Sequence, residues 1–490
     1  MRNAILLLTA SAVALSPAAL GAQSSARYLD QREVAEAQRQ HPELVAEYGG
    51  AEVGPRAAYV ESIGRRVAAF SGIANSGSAY HFTILNAAVE NAMALPGGYV
   101  YVTRQLMVLM DDEAQLAFAL GHETGHIAAN HARARQAAAR RNSVQGIFGA
   151  LLGSVLGGGL GSALAQMSQQ RAQLATLSFS RDQEYQADTL ATRYLLGAGY
   201  DPSGGPGVLA ALTRSSALEA RLQGRNNRQT PEWASTHPLS ENRMQRALAQ
   251  ARATGRLGTG LRNRDQFLAQ LQGVFVDDDP AQGIIEARSF MHPDLKIQFA
   301  VPVGYRMQNG TREVSISGSA GQAQFSGGRF NGTIETYIFQ VFQGLTGGRM
   351  QLSIPPPQRI MINGLPAAYT TARVNSSSGA VDASVMAYQW DQNTIYHFVM
   401  VTRGGAGIDP FAQMVNSLRR ITPAEAAAIR PRVIDVVVVR PGDTAQSLAS
   451  RMAYRDFQLE RFLALNGLNG PGPLTPGQKV KLVVYGLRRA

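Results

Sequence analysis

The 490 residues contain no cysteine, so disulfides and thiolate metal ligands are both excluded, and any metal chemistry falls to histidine and carboxylate side chains. A lipid anchor on cysteine is excluded on the same ground. Lysine is nearly as scarce: only Lys296, Lys479 and Lys481 occur, so the formal net charge of +11 is carried by arginine. Arginines cluster at Arg133, Arg135, Arg140 and Arg141, and again at Arg221, Arg225 and Arg228. Aromatic residues are not interleaved with them, which argues against nucleic acid as a partner and leaves anionic surfaces, acidic proteins or plain solvated surface. Long apolar runs are few. The start, MRNAILLLTASAVALSPAALGA, has one basic residue, an apolar stretch from Ala4 to Leu15 and small residues ending at Ala22. That pattern predicts a signal peptide over residues 1–22, since the run is too short to span a bilayer. The stretch from Ser143 to Met167 is uncharged and long enough to span, but its seven glycines weaken it as a helix.

What is present is a dense set of metal-ligating residues. In FALGHETGHIAANHA, His122 and His126 stand four apart, on one face of a helix, and can hold a single metal between two imidazoles. Glu123 is turned towards the open side, placed to take a proton from a water in the site. Between Ala114 and Ala132 it is the only charged residue, and its burial is costly unless something cationic sits beside it. A catalytic zinc takes three protein ligands. The HExxHxxGxxH arrangement would require Gly at 129 and His at 132, but both are alanine. A glutamate on a second helix remains, and FSRDQEYQADTLATRYLLGAGYDP supplies Glu184. Asp188, one turn on, is placed to accept a hydrogen bond from the distal nitrogen of a ligating histidine. His131 is expected beside the site or at the surface, not as a ligand. A membrane span at 143–167 would put the two halves of this site on opposite sides, so that stretch is expected to be a flap beside the cleft, in peripheral contact with lipid or apolar segments.

HETGH, SRDQEYQAD, AGYDP and STHPLSENR, in that order, resemble the zinc metallopeptidases related to HtpX, BepA and the type-I CAAX prenyl proteases, as does NAMALPGGYVYVTRQLM before them. The resemblance covers about residues 30 to 265. It implies a gluzincin core, one Zn2+ per chain and endopeptidase activity, with His122, His126 and Glu184 as metal ligands and Glu123 as general base. His237 and Arg243 fall on the family's HP…R positions near the reacting carbonyl. His237, on a His-Pro turn, is also expected to be able to occupy the metal's open position and hold the free enzyme partly latent. With the signal peptide, the resemblance implies a periplasmic location, with peripheral association to the outer membrane or cell wall. Misfolded or misassembled envelope proteins are the expected substrates. The alternative is a chaperone or assembly factor whose zinc site is latent or structural.

The expected fold class is α+β: a mainly helical metalloprotease core with a small edge-strand sheet over residues 27–265, an α+β module at 289–420 and a LysM-like βααβ module at 434–484. Residues 27 to 71 have helical spacing, with Val34, Val45, Val60, Ile63 and Val67 as core positions. Tyr80 to Leu85 alternates like a strand, and Pro96-Gly97-Gly98 punctuates a hairpin whose edge can pair with an extended substrate. From Ser289 several strands and one closing helix are expected, with His292 and His397 isolated. The end of the chain resembles a LysM module in PGDT (441–444), LNGL (465–468) and LTPGQKVKL (474–482), which implies N-acetylglucosamine polymers, hence peptidoglycan, as a partner. Ala445 stands where LysM modules carry a larger apolar residue. Because every catalytic motif precedes residue 245, this module is expected to be dispensable for chemistry.

Overall fold

The computed structural model describes residues 26–133, 179–222, 237, 241–346, 353–376, 379–403 and 405–487. The expected signal peptide and the apolar stretch from Ser143 to Met167 lie outside the described residues. Among those described, no helix is long and apolar enough to cross a membrane.

The first unit is helical around one small sheet. Helix α1 (Gln31–Glu47) starts where the Asp30 carboxylate accepts from Arg32 N, and α2 (Pro55–Ala68) starts on a proline, whose missing N–H costs nothing there. After the single turn of α3 (Ser76–Ala79) come β1 (His81–Leu85), β2 (Ala92–Leu95) and β3 (Tyr99–Thr103), ordered β1-β3-β2 with β1 parallel and β2 antiparallel to β3. Gly97 and Gly98 make the β2–β3 turn at φ 101° and 98°. A Cβ on Gly98 would lie 1.9 Å from the Ala79 carbonyl oxygen, so only glycine fits. β2 is the expected edge strand.

Helix α4 (Arg104–Leu109) is capped by Thr103, and α5 (Glu113–Ala128) by Asp112, which accepts from Gln115 N. All of α5 is buried. It runs between α2, the β2 strand, α6 (Arg181–Gly197) and α7 (Gly204–Leu222). Its Gly121 and Gly125 face Ala187, Leu190 and Ala191 of α6, at distances that leave a Cβ only 3.3–3.8 Å from the nearest neighbouring atoms. Small residues on both helices thus bring α5 and α6 close along the stretch that carries the metal-ligating motifs. Helices α8 (Glu241–Ala253) and α9 (Arg264–Leu271) follow, with Phe267, Leu268 and Leu271 fully buried in the same core.

Strand β4 (Phe275–Val276) then leaves that core, and the chain makes a separate module: β5 (Ile284–Glu286), β6 (Ser289–His292), β7 (Ile297–Ala300), β8 (Arg306–Asn309), β9 (Val314–Gly318), β10 (Gly321–Arg329), α10 (Ile334–Thr346), β11 (Gln358–Ile362), β12 (Leu365–Ser376), β13 (Gly379–Asp391), β14 (Thr394–Arg403), α11 (Ala412–Ser417), β15 (Arg419–Arg420) and α12 (Pro423–Ala428). Its seven-stranded antiparallel sheet, ordered β11-β12-β13-β14-β10-β9-β8, packs one face on α10 and the other on a four-stranded sheet, β15-β7-β6-β5. Helix α10 was not expected from the sequence. Its buried Ile334, Ile338, Phe342 and Leu345 have helical spacing, but its aromatic and β-branched composition is that of a strand. The expected closing helix is the short α11. Both isolated histidines are satisfied locally: His292 Nδ1 accepts from Leu295 N, and His397 Nδ1 lies 2.8 Å from the Tyr337 hydroxyl.

The last module has the expected βααβ order: β16 (Arg432–Val438), α13 (Ala445–Ala449), α14 (Gln458–Leu465) and β17 (Lys479–Tyr485). Thr444 of the PGDT segment caps α13 through a reciprocal box with Ser447. The module is not free-standing. β16 pairs with both β17 and β4, and Ile434, Leu448, Phe462, Leu465, Val480 and Leu482 share one apolar cluster with Val108, Leu116 and Leu212 of the first unit. The Lys481 ammonium is buried against the end of α4, donating to the carbonyls of Val108 (2.9 Å) and Met110 (2.6 Å), with Asp111 at 3.4 Å. The module thus shares a core with the unit that carries α5, which residues 264–276 and 432–485 complete.

Candidate metal centre

Helix α5 places His122 and His126 one turn apart, and α6 presents Glu184 one turn from its start, where Ser180 and Gln183 form a capping box. Residue 237 arrives from between α7 and α8. The four side chains meet in a buried group. His122 Nε2 lies 3.0 Å from His126 Nε2, 3.2 Å from His237 Nδ1 and 3.5 Å from Glu184 Oε2. Glu184 Oε1 lies 3.4 Å from His126 Nε2 and 2.9 Å from His237 Nδ1. Donors held about 2.0–2.2 Å from a tetrahedral divalent ion stand roughly 3.3–3.6 Å apart, so these edges are those of a four-donor metal site drawn slightly inward. Three ring nitrogens and a carboxylate, with no thiolate, fit such an ion.

The charges point the same way. Burial works against an imidazolium at His122, but its hydrogen bonds to Asp188 and Glu184 outweigh burial and lift its pKa to about 9. The carboxylates thus favour a positive charge at this point, which a metal ion would supply without protonating the ligands. Burial drives His126 well below its ordinary value, leaving its ring neutral. Burial would raise Asp188, but the Arg243 guanidinium holds it at about 2.

Each ligating ring is steered from behind. His122 Nδ1 lies 3.0 Å from Asp188 Oδ1, the contact expected of Asp188. Arg243, fully buried, donates to both Asp188 oxygens (2.7 and 2.8 Å) and lies 2.7 Å from Glu184 Oε2. Its Nη1 also reaches the His237 carbonyl oxygen at 3.4 Å, so Arg243 sits beneath the donors and holds the His237 backbone. Glu123 is buried with His237 Nε2 at 3.4 Å. The edge strand β2 runs alongside α5.

One contributor was not expected, and a second was expected beside the site or at the surface. Phe179 stacks on His126, ring centroids 3.8 Å apart at 27°. A lone aromatic just before the Ser180–Gln183 capping box was the available signal. His131 was placed beside the site or at the surface; it is buried, with Nδ1 2.9 Å from His126 Nδ1. Asn130, at φ 55°, turns the chain back after α5 and brings it there, a conformation asparagine tolerates.

An HExxH helix crossed by a second helix that contributes a glutamate defines the metallopeptidase class of site. The comparisons make this specific. Residues 55–251 match peptidase family M48 and residues 437–483 match the LysM domain. Over 192 residues it is 30% identical to the beta-barrel assembly-enhancing protease of Yersinia pestis, and over 189 residues 29% identical to that of Escherichia coli (strain K12). Each alignment covers 38% of this chain and 37% of the relative. The mitochondrial metalloendopeptidase OMA1 of Schizosaccharomyces pombe is 30% identical over 214 residues, 43% of this chain and 58% of its own length. The chain thus spans little more than a third of the length of these bacterial relatives.

Proposed function

We propose that this protein is a zinc-dependent endopeptidase of the periplasm that hydrolyses misfolded or misassembled envelope proteins. The observation that carries this reading is the convergence of His122, His126 and Glu184 with Glu123 beside them, in an M48 domain. These three residues would hold a zinc ion, which would supply a Lewis acid for the scissile carbonyl. Glu123 accepts the proton of the attacking water and returns it to the leaving amine. The open edge of β2 orients an extended substrate by backbone pairing, with little demand on its sequence. His237 acts twice: at rest its Nδ1 completes the donor set, and once displaced it donates a hydrogen bond to the developing oxyanion. Arg243 is the counter-charge that keeps Asp188 ionised, and it also pairs with Glu184. The relatives named for beta-barrel assembly support an envelope client. The LysM domain supports peptidoglycan as the surface on which the enzyme works.

Glu123→Gln is the deciding variant. Zinc content should stay near wild type while cleavage of an unfolded protein falls by several orders of magnitude, because ligands and proton acceptor are different residues. The same variant, expressed in cells, should trap uncleaved clients. Turnover in Glu123→Gln comparable to wild type would overturn the mechanism, and absence of cleavage by the zinc-loaded wild type would favour an assembly factor with a structural metal.

A further inference from the structure

His131 links the two halves of the metal centre by a chain of hydrogen bonds whose protons, with the Gln186 carbonyl oxygen facing His131, run in one direction. Its Nε2 lies 3.1 Å from the Gln186 carbonyl oxygen Oε1, and its Nδ1 lies 2.9 Å from His126 Nδ1. A carbonyl oxygen only accepts, so Nε2 of His131 carries the proton and its Nδ1 presents a lone pair. That lone pair accepts from Nδ1–H of His126. The His126 Nε2 is then left as a bare lone pair, facing His122 Nε2 and Glu184 Oε1 at 3.0 and 3.4 Å. Gln183 adds a second tie, donating from Nε2 to the His131 carbonyl oxygen at 3.3 Å.

We infer that His131 is a positioning residue for the metal: it fixes the tautomer and ring plane of His126, and with Gln186 and Gln183 it fastens the end of α5 to the start of α6, which carries Glu184. The two ligating histidines are therefore oriented by different chemistries. His122 is backed by a carboxylate, Asp188, and His126 by a neutral imidazole. The carboxylate strengthens its ligand as a donor. The imidazole orients without adding charge, in a site where Asp188 and Glu184 already face Arg243.

The inference rests on the metal-centre reading of His126, and its tests do not depend on cleavage. Zinc affinity, by competition with a chromophoric chelator, and the visible spectrum of the Co2+-loaded chain would be measured for wild type, His131→Phe, His131→Ala and His131→Gln. Phenylalanine keeps the ring and its packing but cannot accept a hydrogen bond; glutamine can accept one. His131→Phe and His131→Ala should bind zinc roughly 10–100-fold more weakly, as when other outer partners of metal ligands are lost, with shifted Co2+ bands, while His131→Gln stays near wild type in both. Thermal unfolding of the metal-free chains should be the same for Phe and Gln. Wild-type zinc affinity and Co2+ bands in His131→Phe would overturn the inference, as would His131→Gln being as impaired as His131→Phe. Should His131→Phe fail to fold, the contrast between His131→Ala and His131→Gln decides in the same way. A wild-type chain that takes up no zinc would instead remove the reading on which the inference stands.

Discussion

Truncating Phe462 to alanine, more than 200 positions from any metal-ligating residue, should loosen the metal centre. Phe462 lies on α14 of the LysM module and is completely buried in the cluster that also contains Leu116 of the metal helix and Leu212 of α7. Removing a buried phenylalanine side chain costs about 3–5 kcal/mol, the lost transfer free energy plus the cavity left behind. In an independent 50-residue module that cost would unfold the module and leave the peptidase untouched. In a shared core it falls on the whole unit, and for a unit of this size roughly 2–4 °C of melting temperature is lost per kcal/mol. A drop of roughly 6–20 °C is expected, seen equally in circular dichroism and in zinc release followed by a fluorescent chelator. If zinc release kept its wild-type midpoint while part of the ellipticity melted early, the two modules would be independent and the shared core would carry no stability.

Three further outcomes follow from the same geometry. Asp188→Ala should weaken zinc binding by roughly 10–100-fold, measured by chelator competition, since it removes the acceptor of His122 and half of Arg243's counter-charge; unchanged affinity would contradict the contact. His237→Ala should increase or deregulate cleavage of poor substrates while lowering efficiency on good ones, because it removes both the resting donor and the later hydrogen bond; a uniform loss on every substrate, with zinc coordination unchanged by X-ray absorption, would rule out the latch. Lys481 tests burial by pH. Burial lowers its pKa from 10.5 to about 8 although Asp111 pulls the other way, so between those values the folded chain binds fewer protons than the unfolded one. Its contribution to stability is present in full above 10.5 and is lost as pH falls to about 8, a change of about 3 kcal/mol. Chemical denaturation across pH 8–10.5 should show this rise in wild type and not in Lys481→Met; parallel curves would refute it.

The candidate metal site was legible because His122 and His126, and likewise Glu184 and Asp188, lie within one helical turn, and spacing alone turns each pair to a common side. The hairpin was legible because Pro96-Gly97-Gly98 permits little else. What escaped is non-local. The outward face of β16 and the buried face of α14 alternate in the same way whether they close on their own module or on another, so nothing in residues 434–484 announces that Phe275 and Val276 will pair there. The burial of Lys481 is equally silent, since its partners are backbone carbonyls with no sequence signature. His131 was half legible: a histidine five residues past a ligand is conspicuous, but only the left-handed turn at Asn130 decides which way it points. Helix α10 was missed because isoleucine, tyrosine, phenylalanine and valine favour strands by composition, and the sheet it covers overrides that preference.

The pairing of β4 with β16 also sets an order in time. The core around α5 is built from both sides of residues 277–431, so the strand that finishes it is made only after the whole intervening module. At roughly 5–20 residues per second, translation from β4 to the end of β17 takes on the order of 10–40 s, during which the half containing α5 has an uncovered apolar face. The metal helix can settle only when that face is closed. A chain truncated before β16 would therefore have all of its candidate ligand residues and no closed core around α5.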